Sequence, residues 1–341
     1  MNSANKINPI WLVVLGLGIV GGLYTTVRLF SEGHILLSAN DNIVWTLPIV
    51  SYVFFALVST GIALFATFPV IFNQQVLIPL EKRLTFLAFA TLLSAFVSIG
   101  LELGAVGNTI YMLLSPNPAS PIWWLSTLYS IEIVLLIVKY NSLSKGQDES
   151  KGLTITTAVV GIMAVMVLGL VFGGAESRPT YFGPFMSIYT LVTSLLSGCA
   201  AILVYDAVKS ICSESQRESL GKTFVILLAI TIFISLLRST LAMAHTSIQA
   251  GYSGWLVVFL LAALVASSRK LFAGLVTLVG VFLAHLHLII GGPVNPVGPK
   301  AEGLPATLTY LPNVSEILIF VFSLSLALLL YIWGEKKLRL E

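Results

Sequence analysis

The sequence predicts an all-α integral membrane protein of about ten transmembrane helices, arranged as two parallel-repeat four-helix bundles with one flanking helix at each end. Three observations carry that expectation. Hydrophobic residues make up 57% of the 341 and charged residues only 10%, with a mean hydropathy of +0.96, which excludes a water-soluble domain built around one core. Apolar runs of about 20 residues, the length that crosses roughly 30 Å of hydrocarbon, recur along the chain. Finally, Pro48-Ile-Val-Ser51 and Pro184-Phe-Met-Ser187 each open an apolar run, and their separation of 136 also carries Glu102 onto Arg238.

The first run, 10–30, lies in an N-terminal flanking region, 1–42. It is read as a retained span, because it is long, lacks a small-residue cleavage site and is followed by further spans. Runs at 43–70, 84–107, 122–140 and 153–173 form the first bundle, 43–173. Those at 184–208, 222–246, 252–268 and 271–290 form the second, 174–291. The eighth and ninth are separated only by Ser267-Ser268-Arg269-Lys270, whose basic pair requires a turn. The last run, 314–333, closes the region 292–341 behind an outer loop carrying Pro293, Pro296, Pro299, Pro305 and Pro312. Prolines forbid helix there, so the loop is expected to be an ordered lid or docking surface, or else a plain linker.

Alternating the loops puts about 14 of the 18 basic residues on one side, among them Lys82, Arg83, Lys139, Arg217, Arg269 and Lys270. Arg28, Arg178 and Lys300 fall on the other, and Arg238 lies inside a span. That bias places the protein in the cytoplasmic membrane with both termini cytoplasmic. The tryptophans agree, with Trp11 and Trp333 at inner edges and Trp45, Trp123, Trp124 and Trp255 at outer edges. The net charge of +3 therefore reports topology and gives no sign of nucleic-acid binding.

With only Cys199 and Cys212, the chain can build neither an iron–sulfur cluster nor a disulfide framework. Redox chemistry would need a haem, a diffusible carrier or a partner subunit. Phosphate-loop, nucleophile-elbow and zinc spacings are absent from the sequence. His285 and His287 sit about 200° apart on a helix and cannot jointly hold one metal, so no metal site is expected.

Ionisable residues inside spans are the strongest functional signal, since an Asp, Lys or Arg at a helix centre costs about 2.5–3.5 kcal/mol. Glu102 lies near the outer end of the third span, on one face with Ser94 and Ser98. Glu132 sits midway down the fourth, one turn from Tyr129, while Ser51, Tyr52 and Ser59 share a face of the second. A pocket walled by these helices, with Trp123 and Trp124 at its rim, suits a flat apolar molecule whose two oxygens exchange protons, such as a quinone. The structural alternatives are that the serines bond to helix carbonyls, that the tryptophans are interface anchors, and that Glu102 pairs with Arg238 across the bundles. In the second bundle, Ser235, Arg238 and His245 lie on one side of the seventh span and His285 in the outer half of the ninth. Arg238, His245 and His285 are candidates for a proton path, beside Ser187, Thr190, Ser194 and Ser197, which would line that bundle or pack its helices.

The chain resembles the NrfD/PsrC-like family of membrane subunits, which includes polysulfide reductase. The resemblance rests on Trp45-Thr-Leu-Pro48-Ile-Val-Ser-Tyr52 with Gly61, Leu101-Glu102-Leu103-Gly104 where many members have Asp-Leu-Gly, Asn117-Pro118 with Ser120, Arg178-Pro179, and Tyr310-Leu-Pro312-Asn-Val-Ser-Glu316, as in the ten-span branch. It implies a quinone or quinol site in the first bundle near the outer face, with menaquinone the expected type. It also implies an iron–sulfur partner that serves a molybdenum-type catalytic subunit, and a membrane chain without haem or cluster of its own. Glu102 stands where the family's acid stands, and Tyr52 lies near where some members offer a His to the quinone. Glu102, with Tyr52 or Tyr129, would then take up quinol protons. Two rivals remain open: a b-type cytochrome in which His245 and His285 clamp a haem, and a secondary transporter.

Overall fold

The computed structural model describes residues 9–146, 150–176, 183–245, 259–261, 263–265, 268–298 and 301–338. Nine long helices run through them: α1 (Pro9–Glu32), α2 (Leu47–Ile71), α3 (Glu81–Glu102), α4 (Pro121–Ser144), α5 (Lys151–Gly173), α6 (Phe185–Lys209), α7 (Glu214–His245), α8 (Lys270–Gly291) and α9 (Val314–Lys337). Among the described residues, nine helical segments are long and apolar enough to cross a membrane. The chain is thus an all-α membrane protein, as expected. The span expected at 252–268 falls largely outside the described residues, with helix at 259–261 and 263–265 and a turn at Ser268–Arg269 ahead of α8.

The ends of these helices follow from their residues. Pro48 and Pro121 occupy first turns, where a missing N–H costs nothing. Ser120 caps α4 by accepting from the Trp123 amide at 3.4 Å, and Asn313 caps α9 by accepting from the Glu316 amide at 3.0 Å.

Helices α2, α3, α4 and α5 close a ring of contacts, α2 on α3 and α5, α4 on α3 and α5. Helix α6 packs on α2, α5, α7 and α8. Almost all of α2 is buried, so it serves as the central post. The α2–α6 crossing is made close by two glycines. A Cβ on Gly61 would strike the Ser194 carbonyl, and one on Gly198 would strike the backbone of Gly61. The Ser194 hydroxyl donates to the Leu57 carbonyl at 2.8 Å across the same contact. Contacts 57 to 194 and 61 to 198 advance together, so α2 and α6 lie side by side and run in the same direction.

Helix α1 is held mainly by α9, through Gly18 and Gly22, whose missing side chains admit Ser325 and Phe322. Helix α9 in turn lies on α3 and α2. The proline-containing segment after α8 folds back on itself, the Leu308 amide donating to the Val294 carbonyl at 2.7 Å.

Lys139, counted among the basic residues of the cytoplasmic side at the end of the fourth run, is a fully buried residue of α4. Its ammonium meets the Glu81 carboxylate of α3 at 2.7 Å. The run at 122–140 extends to Ser144 as α4, so Lys139 lies more than a turn short of the helix end and inside the bundle. Cys212 follows α6; burial first, then the nearby Asp206 carboxylate, pushes its thiol up to about 12, so it stays protonated near neutral pH.

Replacing Gly198 with Leu should force α2 and α6 apart and cost at least the ~1–3 kcal/mol typical of an overpacked core. Thermal unfolding in mild detergent checks this. Wild-type stability in Gly198→Leu would contradict the close crossing.

Candidate functional site

At the end of α3, the Glu102 carboxylate is half-buried and accepts a 2.5 Å hydrogen bond from the Thr46 hydroxyl, just ahead of α2. The His34 ring N–H donates to the Glu102 carbonyl at 2.7 Å, so the turn after α1 closes over this helix end. One residue beyond Thr46, the Leu47 amide is shared between the Tyr310 hydroxyl at 2.7 Å and the Glu316 carboxylate at 3.4 Å. Glu316 opens α9, is fully buried, and also accepts from the Ser38 amide and the Tyr310 hydroxyl. Burial, followed by the contact with Glu316, raises the Tyr310 hydroxyl well above its ordinary value, so it remains a donor.

These groups form one polar cluster drawn from five places in the sequence. Thr46, His34, Tyr310 and Glu316 were not predicted as site residues. Glu316 and Tyr310 stood in a recognisable motif, but nothing in the pattern said that they reach α2.

Further down α2 lies a second cluster. Tyr52 is six residues beyond Thr46 and Thr60 a further eight, steps of about 9 and 12 Å along the helix axis. The Thr60 hydroxyl approaches both carboxylate oxygens of Glu132, at 3.1 and 3.3 Å. Glu132 is fully buried midway along α4, and it faces Gly161 of α5, where a Cβ would lie 3.4 Å from Oε1. The Tyr129 ring stands edge-on to Tyr52 with centroids 6.3 Å apart. Its hydroxyl is buried without a hydrogen-bond partner among the described residues. Tyr52, Tyr129 and Glu132 therefore come together in one place, while Glu102 belongs to the separate cluster at the helix ends.

The remaining candidates take structural contacts. Ser51 donates to the Leu47 carbonyl at 2.8 Å, Ser59 to Ala88 of α3 at 2.7 Å, Ser94 to Ala90 at 3.0 Å, and Ser98 to Ser323 of α9 at 2.7 Å. The indole N–H groups of Trp123 and Trp124 donate to the carbonyls of Met112 and Pro118, both at 2.8 Å, and pin the segment before α4.

In the second repeat, the Arg238 guanidinium lies 5.2 Å from the centroid of the Tyr189 ring. It forms no ion pair with Glu102, whose carboxylate is taken by Thr46, so the expected cross-bundle pair is not made. Equivalence by a step of 136 relates positions in two bundles; it does not bring them into contact. Thr190 donates to Val165 of α5 at 2.9 Å and Ser194 to Leu57 of α2, which places both on the face toward the first bundle. They do not line the interior of the second. His285 is buried, with Nδ1 bonded to the Val281 carbonyl at 2.8 Å and its ring 6.0 Å from Tyr189. The His245 side chain lies outside the described residues.

Comparison with known proteins gives a consistent match. The family described as polysulphide reductase, NrfD, matches residues 36–296. A selenate reductase subunit of Mesobacillus selenatarsenatis is 24% identical over 262 residues, covering 65% of this chain and 61% of the relative. The aligned stretch therefore spans under two thirds of that relative's length.

Thr60→Val keeps the shape of the side chain and removes the donor to Glu132. The expected cost is ~1 kcal/mol, the scale of an interhelical hydrogen bond in a membrane. Unfolding in detergent measures it, and an unchanged midpoint would mean that the Thr60–Glu132 contact contributes nothing.

Proposed function

The chain belongs to the NrfD family of polysulphide reductase membrane proteins, and on that premise we propose that it is the membrane subunit of a respiratory oxidoreductase complex, exchanging electrons between a quinone in the bilayer and an iron–sulfur partner at the Glu102 end. The relative is by name a subunit of a reductase, which supports the subunit reading. The partner would pass electrons to or from a molybdenum-type catalytic subunit. The basic residues, concentrated at the opposite end, support an outer location for Glu102 and cytoplasmic termini.

The observation that carries this reading is the position of Glu102. It is the acid of the Leu101-Glu102-Leu103-Gly104 motif, half-buried where α3 ends, with one carboxylate oxygen held by Thr46. A bound quinol supplies two electrons and two protons on oxidation. Glu102 is placed to accept a proton from the apolar side and release it at the helix end, and the Thr46 hydroxyl fixes the rotamer in which it does so. Tyr52 and Tyr129 offer an aromatic wall and hydroxyl groups deeper in the same bundle. Glu132 supports a polar role there on energetic grounds. One hydrogen bond of ~1 kcal/mol offsets only part of the about 2.5–3.5 kcal/mol that a charged residue costs at mid-membrane. Ser51, Ser59, Trp123 and Trp124 enter this reading as the frame of the site.

Glu102→Gln preserves size and the contact with Thr46 but cannot take up a proton. In the purified complex it should lower quinol-linked turnover at least a hundredfold, the low end for general acid–base catalysis, with partners still bound. Near wild-type turnover would remove Glu102 from the mechanism.

A haem reading has one observation in its favour: His285 Nε2 is buried and has no hydrogen-bond partner among the described residues. A visible spectrum of the purified protein decides between the two. The quinone reading predicts no Soret band, and a bis-histidine Soret band would replace it.

A further inference from the structure

At the end of the molecule opposite Glu102, a cavity of about 520 Å³ opens between the end of α6 and the start of α7 and α8, lined by Arg217, Ser268, Arg269, Lys270, Phe272 and Leu275 among others. Its polar rim is fixed in place. Asp206, almost fully buried, takes the Arg217 guanidinium through two bonds of 2.7 and 3.1 Å, and Arg217 also donates to the Cys212 carbonyl at 3.2 Å. The Lys270 ammonium donates to the Arg217 carbonyl at 2.9 Å, which uses one of its three hydrogens. Asp206 pairs with Arg217, and Glu214 on the first turn of α7 also acts on that guanidinium, so Arg269 and Lys270 leave the rim with a net positive charge. Arg269 is exposed.

Beneath this rim the lining turns apolar. Phe272 and Leu275 are 55% and 46% exposed on the first turns of a membrane-spanning helix. Two cations above an apolar wall, at the depth where α8 enters the membrane, match a molecule with an anionic phosphate head and acyl tails. The first turn of α8 begins at this rim and takes no side-chain cap from Arg269, so the positive end of the helix dipole adds to the preference for negative charge. Phosphatidylcholine, whose phosphate is offset by its own trimethylammonium group, gains less from this positive rim.

We propose that this cavity is a binding site for an anionic phospholipid, with its phosphate at Arg269 and Lys270 and an acyl chain along Phe272 and Leu275. The site is independent of the quinone reading, since it lies on other helices at the other end.

The test is native mass spectrometry of the full chain in mild detergent, titrated with phosphatidylglycerol or with phosphatidylcholine. One phosphatidylglycerol should remain bound at concentrations where phosphatidylcholine has been lost. Arg269→Gln should weaken its retention about fivefold, the effect of one surface cation near a membrane. Lys222→Gln, whose exposed lysine is paired with Glu218 at 2.7 Å outside the cavity, should leave retention unchanged. Equal retention of the two lipids, or of phosphatidylglycerol in Arg269→Gln and wild type, would overturn the proposal. Displacement of the lipid by inorganic phosphate alone at equal concentration would also overturn it, by showing a site for a free anion.

Discussion

Two adjacent residues ahead of and within the first turn of α2 hold the carboxylates of two other helices. The Thr46 hydroxyl binds Glu102 at the end of α3, and the Leu47 amide binds Glu316 at the start of α9. In hydrocarbon there is no water to satisfy a polar group, so each acid near the membrane must find its donors within the protein. Glu316 does so fully, with Ser38, Leu47 and Tyr310 all donating to it. That arrangement ties the turn after α1, the segment before α2, the loop before α9 and α9 itself into one joint. Glu102 sits at the edge of this joint, half-buried, with a carboxylate that only Thr46 engages among the described residues. The contrast between a saturated carboxylate and a partly engaged one, a residue apart along α2, separates a structural acid from a candidate for proton transfer.

The helix that carries this joint is also the one packed most closely against the rest of the scaffold. Helix α2 passes through the middle of the molecule and meets α6 at Gly61 and Gly198, where backbone lies against backbone. Close contact of this kind lets the serine and threonine hydroxyls of α6 reach the carbonyls of α2 and α5. Helix α6 is therefore joined to α2 and α5 by packing and by short polar contacts on buried faces. Proton chemistry proposed for the first repeat does not need groups from the second. Tyr52, Tyr129, Thr60 and Glu132 all lie within the ring formed by α2, α4 and their neighbours.

Composition and apolar run length were enough to read the class of fold, because a membrane span is a local property of about 20 residues. The turn at Ser268–Arg269 was legible for the same reason: an adjacent Arg-Lys pair is local. Periodicity also placed Tyr129 and Glu132 on one face of α4, and the serines make the bonds to helix carbonyls that such residues commonly make in spans. What could not be read was which distant segment supplies a partner. Glu316 reaches Leu47 across 269 positions and Ser38 across 278, and no spacing rule relates them. The same gap leaves the pairing of Arg238 with Glu102 open as an alternative on sequence grounds. A repeat offset identifies equivalent places, and here the equivalent of an acid beside Thr46 is a guanidinium over Tyr189. A basic residue near the end of a run reads only as a marker of the cytoplasmic side, and the burial of Lys139 depends on Glu81 of α3, which no local pattern names.

The proposed electron transfer requires a lipid-soluble carrier to meet the protein beside α2 and α3 at the Glu102 end. Photo-crosslinking the intact complex with an azido-quinone, followed by peptide mapping, addresses that directly. Label is expected on the segments around Thr46–Tyr52 and Ser98–Glu102, lost when excess unmodified quinone is added. Label confined to α7 and α8, or label that excess quinone does not displace, would contradict the proposal.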